Sequence, residues 1–331
     1  MEFIPNKHGF VEIRLESIGG QGAYSVGQML AQIGVEGSHL HAICFADYGS
    51  EKKGAPVKTF VRFAKDDVTI LNYSPVNEPQ IVAVFHELLF KTQPVTDGLH
   101  TDGILIVNTD QTPEQLRAMY NLNVKTIVTV DATKIALQYK TKLNTAMLGA
   151  IFSSLNFLDP TLAADAIEKM FGYKYPHLVE PNVSTFKDGM EQAQTHVFTD
   201  VEAGIAHTRK PTPFGYETQN QGGEIAGPNS YTKNLTASRE GMMPEYLNEK
   251  CIHCSNCDNV CPDFCFVWEE GVDARGRAQM FLQGIDYNYC KGCLKCVEVC
   301  PTQALVSMVE ERDYADAHRV QKPFDFLGGV K

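Results

Sequence analysis

Eight of the ten cysteines fall in two copies of one spacing, C-x2-C-x2-C-x3-C, and a proline follows each copy. The first copy runs from Cys251 to Cys261 and the second from Cys290 to Cys300, so every cysteine recurs after 39 residues. Thiolates at this spacing bind iron-sulfur cubanes, because two intervening residues let a turn direct successive sulfurs at adjacent irons. The proline fixes φ after the fourth cysteine and turns the chain away. The sequence therefore predicts two [4Fe-4S] clusters.

The fourth cysteine of each run is expected to bind the cluster of the other run. The predicted ligand sets are Cys251, Cys254, Cys257 and Cys300 for cluster 1, and Cys290, Cys293, Cys296 and Cys261 for cluster 2. Zinc and disulfides are the alternative interpretations. Zinc usually takes two close CxxC pairs, and disulfides need an oxidising compartment. The complete and repeated run favours the clusters.

Two cysteines are surplus to this pattern, Cys44 and Cys265. We expect each to be a small buried thiol, since no histidine arrangement marks either as a nucleophile. Cys265 is an alternative ligand if the local fold differs, but Pro262 favours Cys261.

The residues between the ligands are suited to shielding the clusters from water, on which cluster potential depends. The expected apolar wrap consists of Ile252, Phe264, Phe266, Tyr289, Leu294 and Val297. Lys291 and Lys295 add positive charge near the second run, and we expect solvent to screen much of it.

Composition indicates a globular protein of two domains, with 331 residues, 44% hydrophobic and 21% charged. The net charge of -11 argues against a nucleic-acid partner. No apolar run is long enough to span a bilayer, so no membrane association is expected. The first ten residues lack the features of a signal peptide, which predicts a cytoplasmic location where thiols stay reduced.

Nine of the ten cysteines lie between Cys251 and Cys300, so the metal chemistry is confined to a C-terminal module. A stretch rich in Gly, Pro, Asn, Thr and Gln precedes it and reads as a linker. The predicted domains are an α/β domain over 1–205, an extended linker over 206–246 and a two-cluster ferredoxin domain of α+β class over 247–331.

Short apolar strand candidates alternate with helical stretches before the linker, which predicts a largely parallel α/β sheet. The predicted strands are 11–18, 39–46, 57–63, 81–85, 103–108 and 126–130, and the predicted helices are 21–34, 144–157 and 159–172. The helix over 144–157 is apolar almost all round and is expected to be buried. Asp159 is the expected N-cap of the helix that follows.

A glycine-rich loop, Gly19, Gly20, Gln21 and Gly22, separates the first strand from the first helix. Its position suits a phosphate-binding loop, but Ser25 stands where a dinucleotide fingerprint needs glycine, and the Walker A ending is absent. A tight strand-to-helix turn is the favoured interpretation. Binding of an anionic group at the free N–H groups of the helix is the alternative.

The glycine loop and three further segments closely resemble the gamma subunit of 2-oxoacid:ferredoxin oxidoreductases. These segments are YGSEKKGAPV (48–57), DATKIA (131–136) and NTAMLGA (144–150). The C-terminal module resembles the delta subunit of the same family, through CIHCSNCDNVCPDFCFVW and GIDYNYCKGCLKCVEVCPTQAL. The resemblance covers nearly the whole chain, which is therefore similar to a fused gamma-delta subunit.

This resemblance implies a role in oxidative decarboxylation of a 2-oxoacid. The chemistry would take place on thiamine diphosphate and Mg held by partner alpha and beta subunits, since this chain lacks the Gly-Asp-Gly that opens the thiamine-diphosphate motif. The chain would relay electrons one at a time to ferredoxin or a similar acceptor. Pyruvate with coenzyme A is the expected substrate pair, and oxalate or an aryl glyoxylate remains open. The glycine loop and the 48–57 segment would contact coenzyme A or the active site.

Two other functions fit parts of the sequence. The chain is an electron carrier of an unrelated dehydrogenase if its first domain is only a docking domain. It is a nucleotide-binding reductase if the glycine loop binds NAD(P)H, which the incomplete fingerprint disfavours.

Overall fold

The computed structural model describes residues 1–49, 54–204, 206, 221–223 and 234–322. The chain divides into two compact units, Met1–Arg209 and Lys210–Lys331. Most of the expected 206–246 linker lies outside the described residues, so the predicted domain boundaries stay a prediction. The described part of that segment includes Met242–Tyr246, which forms a strand of the C-terminal unit.

The N-terminal unit contains seven strands and seven α-helices within the described residues. In chain order they are β1 (Phe10–Ile18), α1 (Ala23–Ser38), β2 (His41–Tyr48), β3 (Pro56–Ala64), β4 (Ile81–Val84), α2 (Leu89–Thr92), β5 (Ile104–Asn108), α3 (Pro113–Tyr120), β6 (Thr126–Val130), α4 (Ala132–Tyr139), α5 (Leu143–Phe152), α6 (Ala163–Phe171), α7 (Val179–Glu191) and β7 (Gln194–Val197). None of the helices in the described ranges combines the length and apolarity that a membrane crossing requires.

All seven strands form one sheet in the order β2-β3-β1-β4-β5-β6-β7. The four strands β1, β4, β5 and β6 run parallel at its centre. The flanking strands β3, β2 and β7 pair antiparallel. The predicted α/β class with a mostly parallel central sheet is confirmed, and β7 is a strand that the sequence analysis did not predict.

Strand β1 is buried on both faces, although apolar and charged residues alternate along it. Its odd-numbered residues, such as Ile13 and Leu15, join the apolar core beneath the helices. The even-numbered residues point to the opposite face, where two arginines neutralise the buried carboxylates. Arg62 Nε lies 2.6 Å from Glu12 Oε1, and Arg14 Nε lies 2.7 Å from Glu16 Oε1. The alternation of apolar and charged residues along β1 therefore reflects a second buried face that carries paired charges, and not a face exposed to solvent.

Helix α1 begins directly after Gly22 and buries one apolar face. Val26, Met29, Leu30 and Ile33 recur at the spacing of one helical face and are all buried. The buried face of α1 thereby fixes the helix beside the sheet, and the glycine loop connects it to the end of β1.

Helix α5 is entirely buried, as its apolar sequence predicts, but it ends at Phe152 rather than at residue 157. It packs closely on α7 through two glycines: a Cβ at Gly149 would lie 2.1 Å from Phe186 O, and a Cβ at Gly189 would lie 2.2 Å from Ala146 O. The predicted helix over 159–172 begins as a 3-10 turn, Pro160–Leu162, before α6. The Asp159 carboxylate accepts the Thr161 N–H at 2.9 Å, which makes Asp159 the expected cap.

The C-terminal unit is built from two halves, and the strands of each half pair with strands of the other half. Its elements are β8 (Met242–Tyr246), α8 (Asn256–Val260), β9 (Phe266–Val272), β10 (Ala278–Ile285), α9 (Lys295–Glu298), β11 (Leu305–Val309) and α10 (Tyr314–Ala317). Strand β8 pairs antiparallel with β11, and β9 pairs antiparallel with β10. Tyr246 faces Leu305 and Ile285 faces Phe266. Ile285 lies 39 residues after Tyr246, and Leu305 lies 39 residues after Phe266, so the cysteine repeat relates the two strand pairs.

Candidate iron-sulfur centre

The two cysteine runs adopt matching backbone turns. Residues 39 apart share a positive φ at three places: His253 (55°) and Gly292 (67°), Ser255 (60°) and Leu294 (58°), Phe264 (50°) and Gln303 (55°). Residues other than glycine rarely adopt this left-handed conformation. Its recurrence with different side chains shows that the cysteine spacing, rather than the residue type, determines the turn. Each run folds as the same loop followed by one short helix, α8 or α9.

One pocket of the C-terminal unit collects cysteines from both runs. Its lining includes Cys251, Cys254, Cys257 and Cys300, which are the four residues predicted for cluster 1. The apolar part of its wall consists of Tyr246, Ile252, Trp268, Leu282, Pro301, Ala304 and Leu305. Because the halves exchange strands, the fourth cysteine of the second run reaches the first run.

The four cysteines predicted for cluster 2 also lie near one another. Burial raises the pKa of the Cys296 thiol to about 12. The neighbouring thiols Cys290, Cys293, Cys261 and Cys257 contribute to the same rise, so Cys296 lies near cysteines of both predicted sets. Iron binds the thiolate, so binding at Cys296 must offset the cost of deprotonating this buried thiol.

Backbone amides point at the fourth cysteine of each run. The Ala304 N–H donates to Cys300 Sγ at 3.2 Å, and the Cys265 N–H donates to Cys261 Sγ at 3.4 Å. The two hydrogen bonds are related by the 39-residue repeat. Hydrogen bonds to ligand sulfur stabilise negative charge and are one of the means by which proteins set cluster potential.

The donor set fits two [4Fe-4S] clusters. All ten cysteines are free thiols. Cys251, Cys254, Cys257 and Cys300 line one pocket, and the assignment of the eight cysteines to two crossed ligand sets stays a prediction. Within the described residues, no group of three or more His, Cys, Asp or Glu side chains is arranged around a single metal ion. Two groups of four thiolates are what two cubanes require.

Cys265 is a buried thiol beside the second group, with 4% of its surface exposed. Its Sγ lies 3.5 Å from Cys261 Sγ, and the hydrogen bond between them lowers the pKa of Cys261 to about 6. The residue 39 positions later is Ala304, which has no donor atom. The repeat therefore offers no counterpart to Cys265 in the second run, and the assignment of Cys261 rather than Cys265 as the ligand stays a prediction. Cys44 is half-buried on β2, where burial raises its pKa to about 12.

The expected apolar wrap is only partly present. Phe266 and Tyr289 are buried, but Ile252 is 58% exposed and Phe264 is 67% exposed. Ile252 nevertheless lines the pocket with Cys251, Cys254, Cys257 and Cys300, so its other side is exposed to solvent. Lys291 forms an ion pair with Asp263 at 3.0 Å.

The glycine loop Gly19–Gly22 is a close-packed turn between β1 and α1. Gly22 has φ 80°, and a Cβ there would lie 2.9 Å from the side-chain nitrogen of Asn144. Gln21 is buried, and its side-chain oxygen accepts a backbone N–H from the end of β1 at 2.9 Å. The 48–57 segment lies partly outside the described residues. Contact of the loop with coenzyme A or an active site stays a prediction.

Sequence analysis missed Arg239 and strand β8, both of which fall in the expected linker. Arg239 is 1% exposed and lies against the second cysteine run. A signal for β8 was available, because Met242–Tyr246 lies 39 residues before the end of β10. Extending the cysteine displacement toward the N-terminus would have placed it in the C-terminal unit.

Two known families match the chain, one for each unit. The pyruvate ferredoxin/flavodoxin oxidoreductase family matches residues 12–192. The 4Fe-4S dicluster domain matches residues 250–304, a range that contains all eight predicted ligands.

Named relatives match the N-terminal part of the chain. Pyruvate synthase subunit PorC of Thermotoga maritima is 36% identical over 195 residues, which are 58% of this chain and 98% of that protein. The pyruvate/ketoisovalerate oxidoreductases common subunit gamma of Pyrococcus abyssi is 34% identical over 187 residues, which are 56% of this chain and 97% of that protein. The crystal structure of pyruvate oxidoreductase subunit PORC from Thermotoga maritima is 33% identical, with a TM-score of 0.49, and covers 56% of this chain and 98% of that chain.

The first family match spans more than half of the chain, and the Thermotoga relative is matched over nearly its whole length. These matches confirm the family indicated by the glycine loop and the cysteine runs. The chain belongs to the pyruvate ferredoxin/flavodoxin oxidoreductase family and carries a 4Fe-4S dicluster domain after the family domain.

Proposed function

We propose that this chain is the fused gamma-delta, electron-transferring subunit of a thiamine-diphosphate-dependent 2-oxoacid:ferredoxin oxidoreductase. One observation carries the proposal. A single chain joins the oxidoreductase family domain to a 4Fe-4S dicluster domain, in which one pocket is lined by three cysteines of the first run and by Cys300 of the second. The relatives of the first domain are named as oxidoreductase subunits, which supports a role inside a larger enzyme.

The proposed ligands are the crossed sets, with Cys300 completing the first and Cys261 completing the second. When bound, each [4Fe-4S] cluster supplies a one-electron redox step. Decarboxylation of a 2-oxoacid releases two electrons, so a chain with two clusters matches the electron count. The Ala304 and Cys265 amides hold hydrogen bonds to the crossing sulfurs and stabilise their negative charge.

The proposed substrate is pyruvate, with coenzyme A as the acceptor of the acyl group. The names of the relatives, pyruvate synthase and pyruvate/ketoisovalerate oxidoreductases, support a 2-oxoacid of this kind. Thiamine diphosphate and Mg would be held by alpha and beta partner subunits, and ferredoxin would take the electrons. The glycine loop would lie at the contact with coenzyme A or the partner active site.

Purification of the native complex under anaerobic, gentle conditions tests this proposal. We expect the chain to copurify with thiamine-binding subunits and to contain about eight irons. The complex should reduce a redox dye with pyruvate only when coenzyme A is present. Parallel assays with oxalate and phenylglyoxylate, each with and without coenzyme A, determine the substrate class.

Two results would contradict the proposal. A chain that purifies alone, with both clusters but without thiamine-binding partners, is an electron carrier for another dehydrogenase. Reduction of the clusters by NAD(P)H in the isolated chain would instead indicate a nucleotide-dependent reductase.

A further inference from the structure

The two cysteine runs have matching backbones but different neighbours at one position. Gly292 in the second run corresponds to His253 in the first. A Cβ at Gly292 would lie 2.3 Å from Met242 O and 3.2 Å from Arg239 Cγ. Only glycine therefore leaves room for the Arg239 stem beside the second run.

An imidazole occupies the equivalent place beside the first run. His253 Nδ1 lies 3.1 Å from the Leu282 backbone nitrogen and 3.7 Å from Cys251 Sγ. The ring packs edge-on against Phe281, with 4.9 Å between ring centroids. The first run thus meets an imidazole ring where the second meets a buried arginine.

The Arg239 guanidinium is buried against the second run. Its Nη1 donates to the Cys290 carbonyl at 3.0 Å and to the Tyr287 carbonyl at 2.9 Å. Its Nη2 lies 2.7 Å from Glu310, whose side chain is 20% exposed while that of Arg239 is fully buried. Nη1 therefore lies against the backbone of Cys290, a predicted cluster 2 ligand, while Nε and Nη2 on the other edge pair with the partly exposed Glu310 carboxylate at 2.8 and 2.7 Å.

Among the described residues, the repeat supplies no counterpart to Arg239 beside the first run. The residue 39 positions after Arg239 is Ala278, which is exposed and uncharged. Two other ion pairs lie near the runs, Lys291 with Asp263 at 3.0 Å and Arg319 with Asp286 at 2.7 Å, but their cations are 25% and 23% exposed, whereas the Arg239 side chain has no exposed surface. Lys295 is exposed, so solvent screens its charge.

We propose that Arg239 makes the two clusters unequal, so that the cluster bound by Cys290, Cys293, Cys296 and Cys261 is the easier one to reduce. The inference rests on the ligand sets of the proposed function. Reduction adds one negative charge to a cluster, and a buried cation stabilises the reduced form more than the oxidised form. An electron that enters the unit therefore resides mainly on the second cluster.

A redox titration of the anaerobically purified complex, followed by electron paramagnetic resonance, tests this inference. We expect two midpoint potentials in the natural protein. In Arg239→Gln the higher potential should fall and the lower one should stay. A tenfold change in electron distribution between the clusters corresponds to about 59 mV for one electron, and we expect a change of about that size.

A pair of ligand variants assigns each signal to a cluster, and a second arginine variant is the control for Arg239→Gln. Cys254 and Cys293 are exposed ligands related by the repeat, so Cys254→Ser and Cys293→Ser each perturb one spectroscopic signal and assign it to a cluster. Arg277→Gln removes an exposed arginine that pairs with Asp273 at 2.7 Å. It should leave both potentials unchanged.

A double variant separates the effect of charge from that of folding. Arg239→Gln leaves Glu310 without its cation, whereas Arg239→Met with Glu310→Gln removes both charges. Arg239→Lys keeps the charge and should retain most of the potential difference. Unchanged or equally shifted potentials, with both clusters present, would overturn the inference and leave the proposed function intact.

Loss of iron in both the single and the double variant would also overturn it, because Arg239 would then be a structural residue. A natural protein without two clusters would instead contradict the proposed function itself.

Discussion

The two units of the chain have cores of different chemistry. The N-terminal core consists of aliphatic and aromatic side chains between the sheet and its helices, such as Leu30, Phe63 and Met147. The buried cluster of the C-terminal unit has eleven members, and four of them are cysteines: Cys257, Cys265, Cys290 and Cys296. Burial of apolar surface can stabilise the first unit alone. The second unit has a small apolar core and should depend on the bound metal as well.

Removal of iron should have the largest effect, and it should affect the two units differently. We expect a chelator combined with a reductant to unfold the C-terminal unit, since metal-binding free energy contributes to folding in small metal domains. The N-terminal unit should remain folded. Hydrogen exchange measured by mass spectrometry would show lost protection in β8–β11 and retained protection in β1 and β4–β6. Equal protection of both units after iron removal would contradict a metal-dependent core.

Single cysteine substitutions should show which thiols of the C-terminal unit bind iron. Cys261→Ala should remove or convert one cluster and lower the iron content by up to about four per chain, because it deletes a proposed ligand. Cys265→Ala is the matched control, since it removes a buried thiol at the position equivalent to Ala304. Iron analysis and the visible spectrum should show two clusters in that variant. Iron loss of the same size in both would make Cys265 a ligand.

A large-to-small substitution in the N-terminal core should change stability without changing iron. Phe63 is fully buried and packs edge-on against Phe157, with 5.7 Å between ring centroids. Phe63→Ala should lower the free energy of unfolding of this unit by about 3–5 kcal/mol. Val35→Ala, at a position that is 48% exposed, is the control and should have little effect. Denaturant unfolding measures both, and a loss of iron in Phe63→Ala would show that the two cores are coupled.

The smallest effect is expected at a surface ion pair of the N-terminal unit. The hydrogen bond from Arg117 holds the pKa of Asp200 below its ordinary value of 3.8. A lowered carboxyl pKa contributes stability above the unfolded value, and this contribution is lost as pH falls through the folded value. Asp200→Asn should therefore lower the melting temperature slightly at pH 7 and not at all in strong acid. A large change at pH 7 would contradict the screening expected of an exposed pair.

The cysteine runs and the glycine loop were predictable because short-range spacing determines each of them. Each cysteine run requires the same left-handed turns whatever residues fill it, as Ser255 and Leu294 show. Gly22 adopts the positive φ that a tight strand-to-helix turn needs. The apolar surface of α5 likewise predicted its burial, because no face of this helix is polar.

Features that depend on distant partners were not predictable in the same way. Alternation along β1 suggests a solvated polar face, yet Arg62 arrives from β3 to neutralise Glu12. Strand β7 is short and largely exposed, so its sequence carries no strong strand pattern. Arg239 stands in a segment with linker composition, and its burial depends on the space beside Gly292 and on the carbonyls of Tyr287 and Cys290. These contacts join residues far apart in the sequence, and no local pattern records them.

The pairing of strands across the C-terminal unit closes the cysteine repeat on itself. Met242 pairs with Val309 across β8 and β11, so the first and last strands of the repeat lie side by side. The chain after β11 returns to the middle of the repeat, where the Arg319 side chain and the Lys322 N–H both donate to the Asp286 carboxylate, at 2.7 and 3.1 Å.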